Sequence, residues 1–187
     1  AQGYKALYCN TTGNSNTAIG CFALYNNTAG WYNFAQGYKA LYSNTSGNSN
    51  IAFGVYSLLS NTTGCYNVAV GSQTLYCNTT GSNNFAQGYC ALGKNTTGVS
   101  NIAQGKMALF CNTTGSQNIY LGAYTGRCNI DGGYNFMAGT SAGRNSTHGW
   151  YNNFIGYCAG ASNTTGESNN FIGAHAGKSN TTGYHNN

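Results

Sequence analysis

The stretch GYKALYSNTSGNSNIAF, residues 37–53, decides the fold, because the same seventeen-residue frame repeats along the chain without insertion or deletion. Each frame opens on a glycine, carries a second glycine ten residues later and has an asparagine three residues after that. Eleven frames account for all 187 residues. A strict period near twenty residues is typical of solenoids, so the sequence predicts one structural coil per frame.

Two short apolar and aromatic segments alternate with turn signals inside each frame. In the third frame these segments are residues 38–42 and 50–53, and the turn between them belongs to the recurring Asn-Thr-Thr-Gly type. Asn and Gly both tolerate the backbone conformations that turns need. Two glycines per frame and the lack of a 3.6-residue apolar stripe oppose helix, and the recurring aromatics oppose disorder. We therefore predict an all-β fold, a parallel β-solenoid (β-roll) with eleven 17-residue coils, each built as strand, turn, strand, turn.

A size exchange between two frame positions indicates where the interior lies. In the first seven frames the fourth residue after the opening glycine is Leu, and the residue six places before it is Ala. In the last four frames Gly replaces that Leu and a large residue replaces that Ala, giving the pairs Tyr120 and Gly126, Met137 and Gly143, Phe154 and Gly160, Phe171 and Gly177. Because interiors are packed near crystal density, lost volume must come from a neighbour. We expect a single array over 1–187 with two sub-blocks, 1–119 with a Leu-type core and 120–187 with a Phe/Gly-type core.

The asparagine that recurs in every frame predicts a ladder. In parallel coils the same frame position returns every ~4.8 Å along the axis, so side-chain amides in one column can each donate to and accept from the next. The ladder residues are Asn16, Asn33, Asn50, Asn67, Asn84, Asn101, Asn118, Asn135, Asn152, Asn169 and Asn186.

Charge and catalytic chemistry are sparse. Charged residues make up 5% of the chain, and the net charge of +5 comes from seven scattered Lys and Arg against two acids. That pattern does not give the clustered basic footprint of a nucleic-acid-binding protein, and no apolar stretch is long enough to cross a bilayer. The two acids, Asp131 and Glu167, are 36 residues apart, and the three histidines occupy different frame positions. We therefore expect no enzyme activity, cofactor or metal site.

Asn-x-Ser/Thr sequons recur in ten of the eleven frames and predict covalent glycans along one exposed turn edge if the host glycosylates secreted proteins. In another host the same motif is turn chemistry alone. The candidate glycosylation sites are Asn10, Asn26, Asn44, Asn61, Asn78, Asn95, Asn112, Asn145, Asn163 and Asn180.

Eight cysteines without a Cys-x-x-Cys motif fit an oxidising, extracellular setting better than a zinc protein. Cys111 and Cys128 are one frame apart, so we expect them to stack at a separation compatible with a disulfide. Two further candidate pairs are Cys65 with Cys77, across a turn, and Cys9 with Cys21, on adjacent coils. Cys90 and Cys158 have no local partner, which leaves free thiols or links between chains open.

The frame NTTGxxNxAxGxxALYx resembles the seventeen-residue arrays of trimeric-autotransporter-like adhesins and tail-fibre proteins from bacterial, algal and viral surfaces. The likeness covers the whole chain and is clearest in the first seven frames. The frame is more distantly similar to the shorter repeats of collagen-binding adhesin heads, which form parallel β-rolls and assemble as trimers. The resemblance implies an extracellular, cell-surface or secreted fibre or adhesin stalk. The chain departs from the pattern in its cysteine content and in having no coiled-coil heptads.

The two ends of the chain are in phase. Joining Asn187 to Ala1 gives NNAQGYKALY, which continues the seventeen-residue frame. Since a solenoid has two open edges, we expect copies to stack head to tail, with lateral association as a further option. The predicted function is a non-enzymatic subunit of an extracellular fibril, glycosylated along the turn edge.

Two other functions stay open. One is an adhesin or phage tail-fibre shaft that binds host-surface glycans through an aromatic column, Tyr8, Tyr25, Tyr42 and Tyr76, which share one frame position. The other is an ice-binding solenoid, because columns of Thr on a regular surface could match a lattice.

Overall fold

A computed structural model describes residues 1–187 and contains ten strands of three residues each and no helix. The strands form one parallel sheet in sequential order. Each strand pairs with the next at an offset of seventeen residues, so that Ala35 lies opposite Ala52. Gln2 adds an isolated parallel bridge to Ile19. The predicted parallel β-solenoid is confirmed. The strands are β1 (Thr17–Ile19), β2 (Phe34–Gln36), β3 (Ile51–Phe53), β4 (Val68–Val70), β5 (Phe85–Gln87), β6 (Ile102–Gln104), β7 (Ile119–Leu121), β8 (Phe136–Ala138), β9 (Asn153–Ile155) and β10 (Asn170–Ile172).

The aromatic segment that opens each frame is not a strand, so the predicted order of strand, turn, strand, turn is wrong at its first element. In the third coil Lys39 and Leu41 both have φ of 52°, in the left-handed region that bulky side chains rarely adopt. Each of them donates its N–H to a neighbouring coil, Lys39 to the carbonyl of Cys21 and Leu41 to the carbonyl of Ser57, both at 3.0 Å. Hydrogen bonds between coils therefore hold Lys39 and Leu41 in a left-handed backbone conformation that their intrinsic propensities do not favour.

The core is one continuous column inside the coils. The middle residue of each strand points inward, and together with the Leu and Ala of the opening segment these residues form a single cluster of 22 buried side chains. A Cβ added to Gly126 would lie 2.8 Å from Cε1 of Tyr120, and one added to Gly160 would lie 2.5 Å from Cε2 of Phe154. The large side chain thus occupies the space that Leu fills in other coils. The change of core falls between β6 and β7, which pair without interruption, and the division into two sub-blocks stays a prediction.

This shared space predicts a compensating pair of substitutions in the eighth coil. Gly126→Leu alone should destabilise the protein by about 1–3 kcal/mol, because the added side chain meets the Tyr120 ring. Adding Tyr120→Ala should restore most of that loss, since the double variant recreates the Ala and Leu pair of the first seven coils. The backbone already suits Leu there, because Gly126 and Leu109 both have φ of 53°. Thermal unfolding of both single variants and the double variant gives the coupling free energy, and additive losses would contradict the shared space.

Candidate functional site

The predicted asparagine column forms a buried hydrogen-bonded ladder. The backbone N–H and side-chain Nδ2 of Asn84 both donate to Oδ1 of Asn67 at 3.1 Å, and Nδ2 also donates to the carbonyl of Gly98 at 2.9 Å. Asn101 donates to Oδ1 of Asn84 in the same way. The contacts between side chains link every coil from Asn16 to Asn186 without a break. The ladder joins each coil to both of its neighbours inside the core.

A second ladder, which the sequence reasoning missed, runs through the Asn-Thr-Thr-Gly turn. Nδ2 of Asn61 donates to Oδ1 of Asn44 at 2.8 Å and to the carbonyl of Gly64 at 3.0 Å. The same contact links successive coils from Asn10 to Asn129. Ser146 interrupts it, and both the Ser146 hydroxyl and the Asn129 Oδ1 are buried without a partner there. The available signal was the constant seventeen-residue spacing, the same signal that identified the first ladder.

This second ladder contradicts the expected exposure of six of the candidate glycosylation sites, and glycosylation itself stays a prediction. The expectation that the turn asparagines are exposed is wrong for these residues, because their side chains are fully buried and each Nδ2 donates inside the protein. A glycan on Nδ2 would replace a donor hydrogen and place a sugar inside a packed column. The six residues are Asn44, Asn61, Asn78, Asn95, Asn112 and Asn163.

The other four sequon asparagines lie in different surroundings. Asn10 and Asn180 are half-buried in the two end coils, where each Nδ2 donates to a glycine carbonyl of its own turn. Asn26 and Asn145 lie one residue earlier in the frame, outside the ladder. Asn145 is exposed and Asn26 is half-buried. The burial of the six ladder asparagines opposes a glycan edge with one sugar chain per coil.

The cysteines form no disulfide. All eight carry free thiols, which corrects the expected pairings of Cys9 with Cys21, Cys65 with Cys77 and Cys111 with Cys128. Burial, followed by the nearby Cys128 thiol, raises the pKa of Cys111 above its ordinary value. Cys111 and Cys128 are therefore neighbouring free thiols on adjacent coils and not a covalent link.

Three of the four tyrosines predicted to form an aromatic column stack on one another. The ring centroids of Tyr8 and Tyr25 lie 5.4 Å apart and those of Tyr25 and Tyr42 lie 5.3 Å apart, with the ring planes within 9° of parallel. Tyr76 is separated from them by the coil that carries Leu59. Because the stacked rings turn their faces toward one another, the column presents ring edges to solvent and not the flat faces on which sugar rings stack.

The hydroxyl of the first threonine in the turn is also engaged, whereas the second threonine, such as Thr63, is exposed. Thr28 Oγ1 donates to the carbonyl of Thr45, and Thr45 Oγ1 donates to the carbonyl of Thr62, both at 3.1 Å. The same contact recurs in most other coils. Each of these hydroxyl hydrogens therefore bonds to the next coil. It is not free to donate to an ice lattice.

The outer face of the sheet is uncharged: one of its two columns is apolar from Phe34 to Phe136, and the other includes Gln36, Gln87 and Gln104. No charged residue occurs in the ten strands, and the outward side chains of β3 include Ile51, 42% exposed, and Phe53, 47% exposed. The same columns continue through Phe85, Ile102 and Ile172, all exposed. Exposed contiguous apolar surface of this kind marks interaction sites.

The two end coils leave ladder positions open. In the interior, a Cβ added to Gly37 would lie 2.5 Å from the carbonyl oxygen of Gly54, and the other opening glycines before Gly173 meet the backbone of the next coil in the same way. The same construction on Gly173 meets nothing within 4 Å. Oδ1 of Asn186, which has no following coil, accepts no ladder bond, and the N–H of Asn16 has no Asn Oδ1 to receive it.

Polar chemistry elsewhere on the surface is limited. The one salt bridge joins His148 Nδ1 to Asp131 Oδ1 at 2.5 Å, and both side chains are about half exposed (49% and 47%). No group of three or more His, Cys, Asp or Glu side chains comes together to hold a metal ion. The chain forms no helix with the length and apolarity that crossing a membrane requires. No family model matches the chain, and comparisons with curated proteins and with solved structures find no match.

Proposed function

We propose that this chain is a structural, non-enzymatic subunit of an extracellular fibre in which copies stack head to tail along the solenoid axis. The observation that carries the proposal is the complementarity of the two end coils. Each coil presents ladder donors toward one neighbour and ladder acceptors toward the other, as Asn50 does toward Asn33 and Asn67. The extracellular part of the proposal rests on the resemblance of the repeat to the arrays of cell-surface and tail-fibre proteins.

Backbone hydrogen bonds at the junction follow from the offsets inside the chain. Gly160 donates its N–H to the carbonyl of Ala176, sixteen residues ahead, at 2.9 Å. When Ala1 of the next copy is counted as residue 188, the same offset pairs the N–H of Gly177 with the carbonyl of Ala6 in that copy. Open strand edges offer unpaired N–H and C=O groups that template such pairing.

Side-chain contacts at the junction follow in the same way. The N–H and Nδ2 of Asn16 in the next copy would donate to Oδ1 of Asn186, which extends the ladder of the core. Gly3 of the next copy would lie against Gly173, which has open space above it in the single chain. Stacking would therefore give the polar groups of the two end coils the same hydrogen-bond partners that the equivalent groups have in the interior coils.

Lateral association of such fibres is supported by the uncharged outer face of the sheet. That face runs along the whole array without a charge, so a second copy of the chain could cover it. The proposal does not include a glycan edge, because the turn asparagines are buried. It is favoured over glycan binding because the stacked tyrosines cover one another's faces, and over ice binding because one of the two threonine columns of the turn already donates its hydroxyls to the next coil.

The test uses Gly173→Ala, which adds one methyl group to the end coil. The methyl group meets nothing within the chain, so the monomer should lose only the cost of backbone strain and stay folded, but in the stacked dimer the methyl group would collide with the backbone of Gly3. We expect wild-type chains to form filaments with rising concentration and Gly173→Ala chains to stay monomeric, as seen by negative-stain electron microscopy and sedimentation. Ser179→Ala, an exposed change in the same coil, is the control and should assemble like the wild type. Normal filaments from Gly173→Ala would refute head-to-tail stacking.

A further inference from the structure

The column of aromatic residues is interrupted at Gly93. Tyr76, Gly93 and Phe110 occupy the same frame position in the fifth, sixth and seventh coils, the position at which Tyr8, Tyr25 and Tyr42 stack. A cavity of about 370 Å³ opens at this interruption. Its lining includes Tyr76, Tyr89, Cys90, Lys94, Met107 and Phe110. Its volume lies at the lower end of the range of small-molecule sites.

Tyr76 is oriented as a member of the stacked column. Its ring centroid lies 6.3 Å from that of Tyr56 with an interplanar angle of 75°. Tyr42, which belongs to the stack, has the equivalent contact with Phe22 at 6.4 Å and 73°. Stacked rings in the column are separated by 5.3–5.4 Å per coil. The side of Tyr76 that faces Gly93 therefore lacks the ring that would cover it in a complete column.

The ring is missing at this position because Gly93 has no side chain. The backbone conformation of Gly93 does not itself require a glycine. The φ of Gly93 is not in the left-handed region, unlike that of the opening glycines. A Cβ on Gly93 would lie 2.9 Å from Cε2 of Phe110, so the Phe110 ring leans over the gap. That contact is with the far end of a side chain, which can rotate away to admit a ring.

The charge of the cavity favours an anion. Lys94 is its only charged lining residue, and Nζ of Lys94 lies 5.4 Å from the centroid of the Phe110 ring. Burial raises the pKa of the Cys77 thiol, with Lys94 opposing the shift, so this thiol is neutral at physiological pH. Neither carboxylate of the chain lines the cavity.

We propose that the cavity at Gly93 binds a small planar aromatic molecule that carries a carboxylate. Its ring takes the place of the missing ring between Tyr76 and Phe110, and its carboxylate faces Lys94. Offset stacking between aromatic faces supplies the specificity for a flat ring, and the lysine supplies the preference for an anion. The site lies in the middle coils and does not depend on fibre assembly.

The first test fills the gap. Calorimetric titration of the full chain with 2-naphthoate should give saturable binding, and Gly93→Tyr, which completes the column, should weaken it by about tenfold or more. Ala161→Tyr places the same ring at the same frame position between Arg144 and Lys178, where no cavity exists, and should change the affinity by less than about twofold. Absent binding to the wild type, or equal affinities for wild type and Gly93→Tyr, would overturn the proposal.

The second test examines the charge without changing the cavity's aromatic walls. Lys94→Met should weaken 2-naphthoate binding by about two- to fivefold, the effect of one partly exposed charge pair. Binding of the neutral analogue 2-naphthalenemethanol to the same variant should stay unchanged. Equal losses for both probes would overturn the assignment of the carboxylate to Lys94. Circular dichroism of each variant confirms that the solenoid is intact.

Discussion

Gly105→Ala is expected to open the solenoid between its seventh and eighth coils. A Cβ at this position would lie 2.5 Å from the carbonyl carbon of Gly122 in the next coil, and the φ of Gly105 is +135°. The obstructing atoms are backbone and cannot rotate away. Backbone strain and overpacking together should lower the free energy of unfolding by about 5 kcal/mol. Thermal unfolding measures the loss, and hydrogen exchange should show lost protection where β6 meets β7.

Gly173→Ala is the matched control for this prediction. Its φ of +125° imposes similar backbone strain, but nothing lies within 4 Å of the added methyl group. The monomer should therefore lose only the strain term, about 1–3 kcal/mol. The difference between the two variants measures the close approach of stacked glycines. Equal losses from Gly105→Ala and Gly173→Ala would show that the coils do not approach as closely as described.

Asn84→Ala is expected to destabilise the protein by about 2–4 kcal/mol, because one buried N–H loses its only acceptor and two further polar groups each lose one of two partners. The N–H of Asn101 loses its acceptor. Nδ2 of Asn101 keeps only its bond to the carbonyl of Gly115. The carbonyl of Gly98 keeps only the bond from Nδ2 of Asn95. Asn84 itself is almost completely buried, so water cannot replace these contacts without opening the core. Urea or thermal unfolding gives the loss of stability.

The control for the ladder is Asn14→Ser. Asn14 is exposed, and Ser occupies the same frame position in the fifth and seventh coils. Its replacement should change stability by less than about 0.5 kcal/mol. If Asn84→Ala cost no more than this exposed substitution, the ladder would not contribute to stability as its hydrogen bonds indicate.

The period alone was sufficient to predict the parallel stacking and the first ladder position. An unbroken seventeen-residue repeat allows only one register, because a slip of one residue would move Ala52 and its equivalents from the core to the outer face. The exchange of Leu for Gly between sub-blocks also located the interior. The large side chain of Tyr120 appears where Leu is replaced by Gly126, so the two positions could be assigned to one space by comparing side-chain volumes. These inferences needed no knowledge of local backbone conformation.

Local conformation was where sequence reasoning failed. Leu41 has a left-handed φ of 52°, which its propensity does not predict, because hydrogen bonds to the neighbouring coils hold it there. Asn61 was placed on an exposed edge because turn motifs usually lie in solvent, yet the side chain turns inward and bonds to Asn44. In both cases the deciding interaction comes from a residue seventeen positions or so away and not from the local segment.

The cavity at Gly93 shows what could and could not be predicted for a binding site. The absence of a ring at this frame position, between Tyr76 and Phe110, is visible in the sequence. That the neighbouring rings stack along the axis, and that Phe110 leaves open space, depends on side-chain orientation that the frame does not specify. The repeat thus identifies Gly93 as the residue that departs from the aromatic column, and the structure shows that the missing ring leaves a cavity.

The most direct test of the in-phase stacked solenoid is X-ray diffraction from oriented fibres of the assembled chain. Strands that stack along the fibre axis should give a meridional reflection at about 4.8 Å, and eleven coils per chain should give an axial repeat of about 53 Å. A 4.8 Å reflection that lies away from the meridian, or an axial repeat that is not eleven strand spacings, would contradict the account.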